Sequence, residues 1–314
     1  MTSSPNGRGT MNGCVVVFSP GLVPELPPNA TTVRTIEHYF QEANLMSALH
    51  LTDSHIDTGA VTLHVEDAGD GMPALVFLHY WGGSSRTWHP VIERLASSAR
   101  CVAIDHRGWG QSSGPATGYA IGDLAADAHA VITALALTDY ILVGHSMGGK
   151  VAQLLASQRP DGLRGVVLVA PAPAKPVLIP EAVRAQMADA YTSRDTVIAT
   201  LDTVLRHAAL SDELREQVIQ DSLAGAAQAK RDWPAYAVVE DVSANLDRIN
   251  VPVLVVAGEH DRVEPVDVMQ SHVIAEINGA QLDVIPGSGH LIPLERPQEL
   301  TDRIATFRHT ITPG

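Results

Sequence analysis

Cysteine, aromatic residues, basic charge and long apolar runs are all scarce in this 314-residue chain, and each shortage closes off a class of protein. Two cysteines, Cys14 and Cys101, are too few to staple a small secreted domain, so the thiols read as free and the compartment as reducing. The 21 Lys and Arg against 35 Asp and Glu leave a net charge of −14. That sign is wrong for gripping phosphates, so neither nucleic acid nor an anionic membrane surface is an expected partner. No apolar stretch approaches the roughly 20 residues needed to span a bilayer. The run "CVVVF" (14–18) is too short for a signal-peptide core, and Pro20 and Pro24 follow it. The chain reads as cytoplasmic. What it does have is a hydrophobic fraction of 45%, enough to bury a substantial core.

Residues 1–50 are rich in Gly, Ser, Asn and Pro, and the expectation there is a disordered extension with at most one short helix near Ile36–Ala48. Two readings of it stand: an ordinary tail, or a mis-called start with the natural chain beginning at Met46. Past it the pattern becomes regular. "HIDTGAVTLHVED" alternates about a turn, as a hairpin does. The continuous apolar runs "ALVFLH" (74–79), "RCVAID" (100–105), "YILVG" (140–144), "LRGVVLVA" (163–170), "VPVLVVAG" (251–258) and "AQLDVIPG" (280–287) read as strands, those in the middle buried on both faces. Helical spacing lies between them, in "DLAADAHAVITALAL" (123–137, with Asp123 as cap), "MGGKVAQLLASQRP" (147–160), "PVDVMQSHVIAEI" and "RPQELTDRIATFRHTI". This alternation predicts an α/β fold: a mostly parallel central sheet with helices on both faces, formed by residues 51–171 and 247–314. Residues 172–246 break the alternation with helical patterns only. They are expected to form a cap over the carboxyl ends of the strands, where open α/β sheets bind ligands.

"VGHSMGGK" (143–150) places a serine at the end of the predicted strand 140–144. Gly144-His145-Ser146-Met147-Gly148 matches Gly-x-Ser-x-Gly between a strand and a helix. A turn that sharp strains the serine backbone, and the residues two away on either side must lack side chains. The serine hydroxyl then stands above the sheet edge, beside a helix N-terminus that favours developing negative charge. A hydroxyl also needs a base. His290, in "PGSGHLIPLERP" after the last predicted strand, is the candidate. Asp261, in "VVAGEHDRVEP", is the expected acid that orients it, with Glu259 as runner-up. The earlier strand 163–170 exits into "PAPAKP", which has no carboxylate. The order Ser146, Asp261, His290 is that of this architecture. The loop "HYWGG" (79–83) follows strand 74–79, and backbone N–H groups of Trp81 and Met147 are the expected oxyanion donors, with Tyr80 N–H as an alternative to Trp81.

Together these residues resemble the α/β-hydrolase fold family over about residues 55–310. The closest resemblance is to its small esterase-like branch, which includes cofactor-free haloperoxidases and perhydrolases. "FLHYWGG" resembles the oxyanion loop, "DHRGWGQS" (105–112) the loop after the next strand, and "GHSMGG" the nucleophile elbow. "AGEHDRVEP" resembles the acid loop and "GSGHLIPLERP" the histidine loop. One departure stands out: Tyr80 occupies the place where that branch has glycine.

The expected function is that of a cofactor-independent serine hydrolase cleaving a small carboxylic ester or lactone. The alternatives on the same triad are perhydrolase or haloperoxidase-type chemistry and C–C bond hydrolysis. A non-catalytic ligand receptor is the reading from another class. Pocket walls are expected from Tyr80, Trp81, Trp88, Met147, Met187, Tyr191 and Trp233. Arg86 and Lys150 read as solvated or as making loop contacts, ahead of meeting an anionic substrate; His207 reads as solvent-facing ahead of catalytic, and His260 and Arg262 as solvated loop residues. His, Asp and Glu show no metal-ligand spacing, and no Gly-x-Gly-x-x-Gly follows the first buried strand, so no metal and no cofactor are expected.

Overall fold

Runs of aliphatic and β-branched residues build the frame in the computed structural model, which describes residues 10–11, 14–15, 51–176 and 178–311. Leu49–Gly314 form one compact unit and Met1–Ala48 another. In the smaller, Thr10–Met11 pairs antiparallel with Cys14–Val15. The rest of the expectation for residues 1–50, with the helix near Ile36–Ala48 and the start at Met46, lies outside the described residues.

The larger unit holds eight strands: β1 (Thr52–Asp57), β2 (Thr62–Ala68), β3 (Ala74–Leu78), β4 (Cys101–Ile104), β5 (Tyr140–His145), β6 (Leu163–Val169), β7 (Val253–Gly258) and β8 (Gln281–Ile285). Their order in the sheet is β8-β7-β6-β5-β3-β4-β2-β1. β3 to β8 run parallel to their neighbours, and the β1–β2 hairpin joins antiparallel through β4. The hairpin turns where Thr58 N–H donates to the Val61 carbonyl at 2.9 Å.

Why the central strands are uninterrupted apolar runs is visible in their two faces. Val76, Leu78, Leu142, Val166 and Leu168 enter one core cluster, with Leu124, Ala128 and Val131 of α2 (Ile121–Ala134) and Val151 and Leu155 of α3 (Met147–Ser157). The alternate residues Leu75, Phe77, Ile141, Val143 and Val167 enter the other, with Val91 and Ile92 of α1 (His89–Leu95) and Leu300 and Ile304 of α10 (Pro297–Ile311). Each such side chain contributes about 1.5–3 kcal/mol on full burial. Cys101 lies in this second layer, where burial pushes its thiol up to about 12, so it is inert at neutral pH.

The helix expected to open at Asp123 begins two residues earlier, at Ile121. The Asp123 carboxylate reaches back to accept from Ala120 N–H at 3.1 Å. Between β6 and β7 the chain is helical, with α4 (Glu181–Asp189), α5 (Arg194–Thr200), α6 (Asp212–Ala224) and α7 (Ala227–Ala235). α5 runs on into a wider π-helical turn, Leu201–Leu205. After β7 come α8 (Val266–Met269) and, past β8, α9 (Ile292–Glu295). Among the described residues no helix is long and apolar enough to cross a membrane.

Candidate active site

The carboxyl ends of β3, β5 and β7 and the loop after β8 all meet one cavity of about 340 Å³. β5 delivers Ser146. Its backbone sits at φ 53° and ψ −112°, a conformation that side-chain-bearing residues rarely adopt. Three bonds clamp it there: its N–H donates to the Val169 carbonyl, and its own carbonyl accepts from Lys150 and Ala172 N–H, each at 3.0 Å. The flanking glycines are a steric requirement. A Cβ on Gly144 would meet the Gly148 carbonyl oxygen at 2.3 Å, and one on Gly148 would meet the Leu78 carbonyl oxygen at the same distance. The spacing of the motif is therefore the spacing of a turn pressed against β3.

β7 delivers Asp261, and the loop after β8 delivers His290. His290 Nδ1 lies 2.8 Å from Asp261 Oδ2, with both side chains almost completely buried. The other oxygen of Asp261 accepts from Val263 N–H at 2.8 Å and Glu264 N–H at 3.0 Å, which fixes the carboxylate as an acceptor. Nδ1 is therefore the protonated nitrogen, and Nε2 keeps its lone pair. Glu259 is elsewhere: it is exposed, and its carboxylate accepts from Gly287 N–H at 2.9 Å. Ser146 and His290 both line the cavity, as do Tyr80, Trp81, Met187, Tyr191 and Trp233.

The loop after β3 is shaped by a histidine. His79 Nδ1–H donates to the Tyr80 carbonyl at 2.7 Å, and its Nε2 accepts from His106 N–H at 3.0 Å, so it is neutral, as its burial also requires. Tyr191 O–H donates to the Trp81 carbonyl at 3.0 Å, and the two rings stack with centroids 4.2 Å apart. Neither Trp81 N–H nor Met147 N–H is tied into the backbone hydrogen-bond network among the described residues. Trp81 lines the cavity beside Ser146, and Met147 opens α3. Tyr80, in place of glycine, lays its ring 5.2 Å from that of His145, and burial keeps its phenol protonated. His145 Nε2–H in turn donates to the His290 carbonyl at 2.8 Å, and burial, then the neighbouring His290, holds it neutral.

The expectations for Trp88, Met147 and Lys150 fail for packing reasons. Trp88 is fully buried against Phe77, with ring centroids 5.0 Å apart, and does not line the cavity; Met147 likewise packs into the core. Lys150 is neither solvated nor a loop residue: α3 carries it into the interior, where Nζ donates to the Val238 carbonyl at 2.9 Å and burial lowers its pKa to about 8. Arg86 pairs with the buried Asp221, its Nε 3.1 Å away. Arg262 is exposed, yet it borders the cavity and donates to the Thr203 carbonyl at 2.7 Å. His207 is exposed and stacks on His260 at 3.9 Å.

The sequence reading missed Glu295. Its buried carboxylate accepts four backbone N–H bonds: His207 at 2.8 Å, Ala208 at 2.6 Å, Gly289 at 3.0 Å and Leu291 at 3.1 Å. It brackets His290 and ties that loop to the π-helical turn, whose Leu205 carbonyl also accepts from His290 N–H at 2.8 Å. Also unforeseen is a set of ligand-type atoms on Asp53, His64 and Glu66, within 4.8 Å of one another. His64 Nδ1 bonds Asp105 at 2.8 Å and Nε2 bonds Asp53 at 3.0 Å. The hydrogen bond to Asp105 leads in raising its pKa to about 9, so it is an imidazolium with no lone pair for a metal.

The sequence matches the alpha/beta hydrolase family over residues 75–303. The chain belongs to that family. An AB hydrolase superfamily protein of Bacillus subtilis, YisY, is 30% identical over 260 residues, covering 80% of this chain and 96% of its own. A non-heme haloperoxidase of Rhodococcus erythropolis is 28% identical over 245 residues, covering 72% of this chain and 88% of its own. In fold, this α/β hydrolase is similar to an esterase from Exiguobacterium antarcticum, with TM-score 0.76 and 24% identity over 82% of this chain and 100% of the other.

Proposed function

We propose that this α/β hydrolase is a cofactor-independent serine hydrolase that cleaves a small carboxylic ester or lactone through an acyl-enzyme. The observation that carries the reading is the strained Ser146 in the same cavity wall as a His290 whose Nδ1 is held by Asp261. On this reading His290 Nε2 takes the Ser146 proton as Oγ attacks the carbonyl. Trp81 and Met147 N–H groups receive the oxyanion, each contributing about 3 kcal/mol to lowering the barrier. His290 returns the proton to the departing alcohol, then activates the water that frees the acid. The helices between β6 and β7 act as the cap: Met187, Tyr191 and Trp233 supply apolar walls, and Tyr191 braces the oxyanion loop.

Replacing Ser146 with alanine tests this. The variant is expected to melt like the parent and to lose p-nitrophenyl acetate hydrolysis by at least about a thousandfold. Retention of most of the turnover would refute the assignment. The haloperoxidase relative favours a second use of the same residues, in which peroxide in place of water yields a peracid. Halide oxidation that needs added acetate as well as peroxide is its signature.

A further inference from the structure

Among the apolar cavity walls stands one carboxyl that the proposed triad does not use. Glu264 lies three residues beyond Asp261, on the same loop, and lines the cavity with Ser146 and His290. Its backbone N–H is tied to Asp261 Oδ1, but its carboxyl has no hydrogen-bond partner among the described residues. The cations near it are engaged elsewhere: Lys150 Nζ with the Val238 carbonyl, Arg262 with the Thr203 carbonyl. Burial, and then the Asp261 carboxylate, push its pKa well above the usual carboxylate value, while the Lys150 ammonium pulls the other way. Its carboxyl therefore holds a proton more tightly than an ordinary glutamate does, and in that protonated form it offers an O–H.

An unpaired donor in an apolar cavity gains most from a ligand that brings it an acceptor, and it discriminates against one that does not. We propose that Glu264 is a specificity-determining residue: its carboxyl donates to a second oxygen of the substrate, remote from the scissile bond, so that the cavity selects oxo-substituted esters or lactones over purely hydrocarbon ones. Arg262 and Gln186 are the other charged or amide side chains that border the cavity. The proposal rests on the serine-hydrolase reading of the same cavity.

The test compares p-nitrophenyl levulinate with p-nitrophenyl isocaproate, whose acyl groups differ by a ketone oxygen against a methyl. The readout is the ratio of their kcat/KM values. Glu264→Leu is expected to lower that ratio about tenfold, and Glu264→Gln, which keeps a donor, to hold it within about threefold. In the parent the ratio should fall as pH rises through the Glu264 titration, because the carboxylate repels the ketone oxygen; in Glu264→Gln it should stay flat. Titration of Lys150 or of any group acting on the scissile ester affects both substrates and largely cancels from the ratio. An unchanged ratio in Glu264→Leu, or a pH-dependent ratio that persists in Glu264→Gln, overturns the proposal. Should Glu264→Leu fail to fold, the pH comparison with Glu264→Gln decides alone. If the parent hydrolyses neither ester and a fluorophosphonate leaves Ser146 unlabelled, it is the hydrolase reading that falls, and this one with it.

Discussion

His290 and His64 are both buried, and both hold an aspartate oxygen 2.8 Å from Nδ1. They differ at the opposite nitrogen. His64 Nε2–H donates to Asp53 at 3.0 Å, so the ring is fastened at both ends. His290 Nε2 has no such partner among the described residues, and His290 borders the cavity that Ser146 borders. A second carboxylate turns a base into a fixed cation that ties the β1–β2 hairpin to the loop after β4. A single carboxylate leaves a ring able to give and take a proton. On the proposed reading, the difference between a structural and a chemical histidine–aspartate pair lies in what the far nitrogen touches.

Removing one acid from each pair separates the two roles. Asp261→Asn should lower kcat about 10⁴-fold by leaving the imidazole in the wrong tautomer, with little change in melting temperature. Glu259→Gln, beside it in sequence but bonded elsewhere, should stay within a few-fold of the parent. The reverse ranking would move the acid to Glu259. Asp105→Asn should do the opposite of Asp261→Asn. It should cost about 3 kcal/mol in denaturant unfolding, because Ser85 and Gln111 N–H also donate to Asp105, and leave the turnover of the folded fraction nearly intact.

A smaller effect comes from pH alone. The folded pKa of His64, about 9, lies above its ordinary 6.5, so the pair's stabilisation is fully present below 6.5 and is lost as pH rises through 9. Asp105 is shifted the other way, downward, so on the acid side the same interaction fades only as its carboxylate is protonated below its ordinary 3.8. Unfolding free energy should fall by about 2 kcal/mol between those upper limits. His64→Gln should flatten that slope, and an unaltered slope in the variant would assign it to other groups.

Much of this was legible in the sequence because sterics and burial write local patterns. The elbow is readable since only glycine fits at 144 and 148, and the strands since a sheet covered on both faces needs unbroken apolar runs. The meeting of Asp261 and His290, 2.8 Å apart, was readable from their places after β7 and β8. What escaped depends on partners far along the chain. Tyr191 holds Trp81 from 110 positions away, and Glu295 reaches His207 and Ala208 from 88 and 87. Neither bond leaves a mark in nearby residues. Trp88 and Lys150 were misplaced for a related reason: the 3₁₀ turn Ser85–Trp88 turns Trp88 toward His145 of β5, and α3 turns Lys150 toward Val238, which a residue's type does not encode.

The π-helical turn Leu201–Leu205 has a consequence for traffic. Its carbonyls hold the His290 backbone and the Arg262 side chain, so swinging it outward would pull on the histidine proposed as the base. On the proposed reading, substrate and product therefore pass on another flank. α4 borders the same cavity, yet none of its residues is buried and its Val183 is 43% exposed.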